Sequence, residues 1–148
     1  MRTSRKSAPE IEAVKVFIDT NILVSTALFP KGTAAAAFYR AVLAPNRGIV
    51  TDYVIDELRR VFNLKFPEKI GLLEHFLSIA LLALEIVPVP VTPIPEEELV
   101  RDEKDRPILR AAVAEQVDVL LTGDKDLLES GITDPKILRA DEFLERAL

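Results

Sequence analysis

The chain has 148 residues, 49% of them apolar, and a formal charge of −5. That length suits one unit with a proper core rather than two, and the apolar share excludes bulk disorder. With no cysteine, disulfides, thiolate metal sites and thiol nucleophiles are excluded, and the acidic balance argues against coating nucleic acid through bulk positive charge.

Residues 1–12 begin MRTSRKSAPE, basic and polar with no apolar h-region behind them, and read as a flexible tail. A single domain is expected over 13–148. VKVFI (14–18) is a buried strand rich in β-branched residues. TNILVSTAL (20–28) continues as a helix capped by Asp19 or Thr20, and Pro30, Lys31 and Gly32 break it. Thr33 is the expected cap of TAAAAFYRAVLA, which stops before Pro45. GIV (48–50) is a short strand, and Thr51 caps DYVIDELRRVFN. Pro67 opens another helix to about Ala80, and ALEIV forms a third strand ending at Pro88. The run FLSIALLAL (76–84) reads as core, with a dimer face as the lesser reading. It is too short to span a bilayer, so no membrane partner is expected.

PVPVTPIP (88–95) holds four of the ten prolines and must be an extended loop. A helical turn over Glu96 to Val100 and the helix RPILRAAVAEQ (106–116) follow, with Pro107 in the first turn. VDVLLT (117–122) is a strand, DKDLLESG a short helix closed by Gly131, KILRA a last strand and DEFLERAL a terminal helix. Five strands alternating with helices predict an α/β fold, a parallel sheet of about five strands covered on both faces.

In such sheets, ligands bind beyond the carboxyl ends of the strands. The first strand delivers Asp19, Thr20 and Asn21 there. VDVLLT delivers Thr122, Gly123, Asp124 and Asp126, and the loop before helix 106–116 delivers Asp102 and Asp105. The helix after GIV adds one more acid. With Val54 at zero on a wheel of about 100° per residue, Leu58 and Val61 fall within about 40° and Glu57 about 60° to one side. Asp56 points to about 200°, toward solvent. No glycine-rich phosphate loop is present.

Four carboxylates in one pocket repel; two unit charges about 4 Å apart cost about 4 kcal/mol at an effective dielectric near 20. Either some hold protons or a cation neutralises them. All-oxygen donors select a hard ion, Mg²⁺ or Mn²⁺, and the chemistry that suits such an ion is phosphodiester hydrolysis. Each acid also has a plainer role. Asp19, Asp105 and Asp124 precede helices and can serve as caps, and Glu57 can be a solvated helix residue. The solitary histidine, His75, reads as surface or partly packed. Arg101, Arg106 and Lys125 lie nearest the acids and are the candidate phosphate contacts.

VFIDTNILVSTAL, IDELRRV, RDEKDRPILRAAVAEQVDVLLTGDKDLL and KILRADEFLERAL, in that order, resemble the PIN-domain ribonucleases, and among them the VapC-like toxins of type II toxin–antitoxin pairs. The resemblance runs from about Val14 onward and is general in character over 63–100. It implies a three-layer αβα fold and an Mg²⁺ or Mn²⁺ site formed by Asp19, Glu57, Asp105 and Asp124. Asn21, Thr122, Asp126 and Asp102 would support that site. It also implies cleavage of RNA in the cytoplasm, an inhibitory antitoxin and a homodimer. One departure is Glu103, where related sequences often carry proline. Two other readings remain. A receiver-like phosphoacceptor also places acids at strand ends, although here Asp19 follows the first strand, where receivers carry supporting acids; a PIN-like scaffold would bind RNA or protein without cutting. A haloacid-dehalogenase-type phosphatase is disfavoured, because Asn21 stands where a second aspartate is needed.

Overall fold

The computed structural model describes residues 13–146; the expected tail at 1–12 lies outside the described residues. Five strands, β1 (Lys15–Ile18), β2 (Arg47–Thr51), β3 (Leu84–Val87), β4 (Val119–Leu121) and β5 (Lys136–Leu138), form one sheet in the order β3-β2-β1-β4-β5. Every pairing is parallel. Seven α-helices connect and flank them: α1 (Thr20–Leu28), α2 (Thr33–Val42), α3 (Asp52–Lys65), α4 (Ile70–Ala83), α5 (Arg106–Ala114), α6 (Lys125–Leu128) and α7 (Ala140–Arg146). The strand order runs outward from β1 in one direction through β2 and β3, then restarts on the other side with β4. Right-handed crossovers therefore place α1–α4 and α5 on opposite faces. Val16, Phe17 and Ile18 of the central strand are fully buried between the two helical layers.

Local chemistry explains most boundaries. Thr51 caps α3 by accepting from Val54 N–H at 3.1 Å. The expected Thr33 cap is not found: Gly32 holds the cap position and Thr33 is the first helical residue. Helix α2 also ends at Val42, two residues early. The helix expected from Pro67 begins as a 3₁₀ turn over Pro67–Lys69, and α4 then runs directly into β3. The FLSIALLAL run is split: Leu77, Ala80 and Leu84 are buried, while Ile79 and Leu82 are 59% and 87% exposed. Among the described residues no helix is long and apolar enough to cross a membrane.

Gly48 is set by close packing. A Cβ there would lie 2.7 Å from Val42 Cγ1, 3.2 Å from Leu84 Cδ2 and 3.3 Å from Ile18 Cδ1. All three are branched side chains, Ile18 and Leu84 buried and Val42 partly buried against the core, with little room to yield. Gly48→Ala is expected to lower stability by about 1–3 kcal/mol. Urea unfolding checks this, and an unchanged midpoint would remove the packing explanation.

The proline loop is held by a buried ion pair. Glu97, in the 3₁₀ turn Pro95–Leu99, receives Arg110 Nε and Nη2 of α5 at 2.9 and 2.8 Å and the Ile94 N–H at 3.1 Å. Arg110 also donates to the Pro90 carbonyl at 3.1 Å.

Candidate active site

The crevice where the strand order reverses lies between the carboxyl ends of β1 and β4, which pair through Ile18 and Leu121. The Asp19 N–H extends that ladder by donating to Leu121 O at 3.0 Å. Asp19 caps α1: one carboxylate oxygen accepts from the Thr20 N–H, and the other from Thr122 Oγ1, both at 2.7 Å. Thr122 Oγ1 in turn accepts from the Asp124 N–H at 3.0 Å. Asn21 Oδ1 accepts from the Gly123 N–H at 3.0 Å, so two side chains tie the β1 and β4 loops together. Asp124 caps α6 and accepts from the Asp126 N–H at 2.8 Å.

Glu57 leans from α3 as the wheel predicts, while Asp56 faces solvent. It is fixed by a residue the sequence did not single out for this role: Thr20 Oγ1 donates to Glu57 Oε1 at 2.7 Å. A second such residue is Tyr53, whose hydroxyl donates to the Lys104 carbonyl at 2.7 Å. That bond ties the start of α3 to the turn carrying Asp105.

Asp105 occupies the N-cap position of α5 but does not cap its helix through its side chain. Its residue is 8% exposed, and its buried Oδ2 has no hydrogen-bond partner. Together with Asp19, Asn21, Glu57 and Asp124 it lines a cavity of about 300 Å³.

Burial first, and neighbouring carboxylates second, hold two of these acids above their ordinary values. Burial pushes the Asp19 carboxyl up to about 6 against the opposing hydrogen bonds from Thr122 and Thr20, with Glu57 and Asp124 adding repulsion. Burial also pushes Asp105 up to about 8, helped by neighbouring Asp124 and by the charges of Asp19 and Asp102. An all-oxygen donor set with one orphaned buried oxygen fits a hard divalent cation, which would relieve both burial and repulsion.

The remaining residues fall outside this cavity. Asp102 and Asp126 gather with Asp105 so that one oxygen from each lies within 4.8 Å of the others. Asp102 itself accepts from the Lys104 N–H at 3.0 Å. Arg101 is paired with Asp126 at 2.8 Å and Glu129 at 3.2 Å, and Arg106 Nε donates to the Val100 carbonyl at 2.9 Å. Lys125 is exposed at the start of α6. None of these three cations lines the cavity; Lys65 and Phe66, at the end of α3, do. Exposed His75 lies beside a separate apolar groove between α2 and α4.

Comparison with curated proteins finds no match to this sequence. Solved structures share the fold at low identity. VapBC2 from Rickettsia felis, bound to a DNA fragment from its promoter, aligns over 84% of this chain and 98% of its own, with a TM-score of 0.63 and 19% identity. DNA-bound VapBC from Salmonella typhimurium aligns over 86% and 98% (TM-score 0.62, 16% identity). Mycobacterium tuberculosis VapC20, a sarcin–ricin loop cleaving toxin, aligns over 80% and 97% (TM-score 0.58, 16% identity). Residues 15–126, from the start of β1 into α6 and so including all four pocket acids, match the PIN domain. The chain belongs to the PIN-domain family.

Proposed function

We propose that the chain is a metal-dependent endoribonuclease that hydrolyses phosphodiester bonds of single-stranded or structured RNA. Asp19, Glu57, Asp105 and Asp124 would hold Mg²⁺ or Mn²⁺. The ion's contribution is to stabilise charge on a phosphoryl oxygen and to make a bound water more acidic. The chain's own part is to fix the donors. Thr122 and the Thr20 N–H orient Asp19, the Thr20 hydroxyl orients Glu57, and Asn21 holds the β4 loop in register. The observation that carries this reading is Asp105: a buried carboxylate with no cap bond and an orphaned oxygen, facing three other acids, has no purely structural role.

The biological setting belongs to the same proposal. The fold relatives include a sarcin–ricin loop cleaving toxin and two VapBC structures, which supports a cytoplasmic toxin restrained by an antitoxin protein. Assembly as a homodimer is supported by exposed apolar side chains such as Ile79 and Leu82 on α4.

The test is an RNA cleavage assay with Mg²⁺ or Mn²⁺ and with chelator. Cleavage is expected with either ion and not with chelator. Asp19→Asn is expected to lower the rate at least about a hundredfold with the fold retained. Cleavage that survives chelation, or an Asp19→Asn protein cutting at the parent rate, would sink the assignment. Folded parent protein that cuts no RNA with either ion favours the non-cutting scaffold.

A further inference from the structure

The acids account for bond cleavage but leave open how a polyanion settles beside them. Of the cations expected to receive phosphate, Arg101 and Arg106 are engaged by Asp126, Glu129 and the Val100 carbonyl, and exposed Lys125 does not line the cavity. Among the described residues lining the cavity, Lys65 alone is basic. Glu57, Val61 and Lys65 all line it and are spaced four apart, so they form one stripe along α3. From Glu57 to Lys65 that stripe rises about 12 Å. Val24 and Ser25 of α1 line the opposite wall. The cavity is thus a groove between α1 and α3, acidic at one end and basic at the other.

Phe66 stands beside Lys65 at the basic end. Its ring is half-buried, lies 5.5 Å from the Phe62 ring centroid and is backed by that buried side chain. The Phe66 N–H bonds to the Phe62 carbonyl at 2.9 Å, which fixes the turn carrying the ring. A backed aromatic face next to an ammonium suits an unpaired base and its phosphate.

Resting on the nuclease reading above, we propose that Lys65 and Phe66 form the docking edge for an unpaired RNA strand. Lys65 takes a flanking phosphate, Phe66 stacks a base, and the strand follows the α1–α3 groove to the acids. Both act by positioning the strand. A lysine in the last turn of α3 also suits the helix dipole, a purely structural role that would leave RNA binding untouched.

The test uses the full chain and a single-stranded oligoribonucleotide. Fluorescence anisotropy with Ca²⁺ over a salt series reads binding; kinetics with Mg²⁺ read kcat and KM. Lys65→Ala is expected to weaken binding and raise KM about tenfold, with kcat nearly unchanged. Its log–log salt slope should fall by about one, and Lys65→Arg should restore both. Phe66→Leu should weaken binding about tenfold with the salt slope kept, because leucine preserves the contact with Phe62 but removes the stacking face. Thermal melting verifies that each variant is folded. Parent-like Kd and KM in both Lys65→Ala and Phe66→Leu overturn the proposal. If the parent binds RNA but does not cut it, the catalytic reading fails and the binding series still decides the docking edge. If it neither binds nor cuts, both are overturned.

Discussion

Replacing Asp105 with asparagine is expected to stop RNA cleavage and, at the same time, to make the metal-free protein more stable at alkaline pH. The loss of activity follows from removing the negative charge that this buried donor would offer the cation, and should be at least about a hundredfold. The gain in stability follows from linkage. The Asp105 carboxyl sits at about 8 in the fold, raised by burial and by Asp124, from an ordinary value of 3.8. A raised acid keeps its proton in the native state and loses it in the unfolded chain. Stability of the parent therefore falls as pH rises above about 4, and the penalty is complete only past about 8. The slope from one such group is at most about 1.4 kcal/mol per pH unit. Asparagine carries no charge to bury, so the slope attributable to this position disappears. Melting curves at pH 5 and pH 8, with chelator and then with Mg²⁺, check this. The parent should gain more from Mg²⁺ at pH 8 than the variant. A variant that melts below the parent at pH 8 in chelator contradicts the account of buried charge.

Glu97→Ala is expected to be the most damaging single change for the fold among those considered. The Glu97 and Arg110 side chains are 6% and 15% exposed and meet through two parallel hydrogen bonds. Removing one partner leaves the other charge buried, which costs about 3–5 kcal/mol. For a chain of this size that lowers the melting temperature by roughly 10 °C. The damage should centre on the proline loop, which loses its ties at Ile94 and, through a displaced Arg110, at Pro90. The double variant Glu97→Leu with Arg110→Met removes both charges and should recover part of the loss. Arg110 holds the Glu97 carboxyl below its ordinary value. The pair therefore contributes fully above about pH 4.5 and fades as pH falls through the lowered value. Differential scanning calorimetry of the single and double variants decides; equal melting temperatures for parent and Glu97→Ala would show that the pair holds nothing.

The sheet and the acids were legible in the sequence for one reason. A parallel sheet sends every strand-to-helix junction to the same edge, so polar residues after VKVFI and VDVLLT had to meet there once β1 and β4 proved adjacent. Helical periodicity then separated Glu57 from Asp56. What periodicity cannot show is which partner a side chain chooses across the fold. The Thr20 hydroxyl reaches Glu57, thirty-seven positions away, and nothing local to FIDTNIL announces it. Arg110 reads as one more charge on an amphipathic helix, and its pairing with Glu97 depends on how the proline loop folds back over α5. Lys65 lies far in sequence from Asp19, Asp105 and Asp124, and only the course of α3 brings it to the groove. Thr33 failed as a cap because Gly32 takes the extended conformation first.

The cavity draws its carboxylates from positions 19, 57, 105 and 124, so most of the polypeptide must be in place before the donors stand together. Shorter stretches emerging during synthesis would hold some of these acids but not the full cage. An ion captured by the finished cage adds its binding free energy to the native state alone. On the proposed reading, magnesium would thus reward completed chains over partial ones, making maturation and the onset of reactivity a single event.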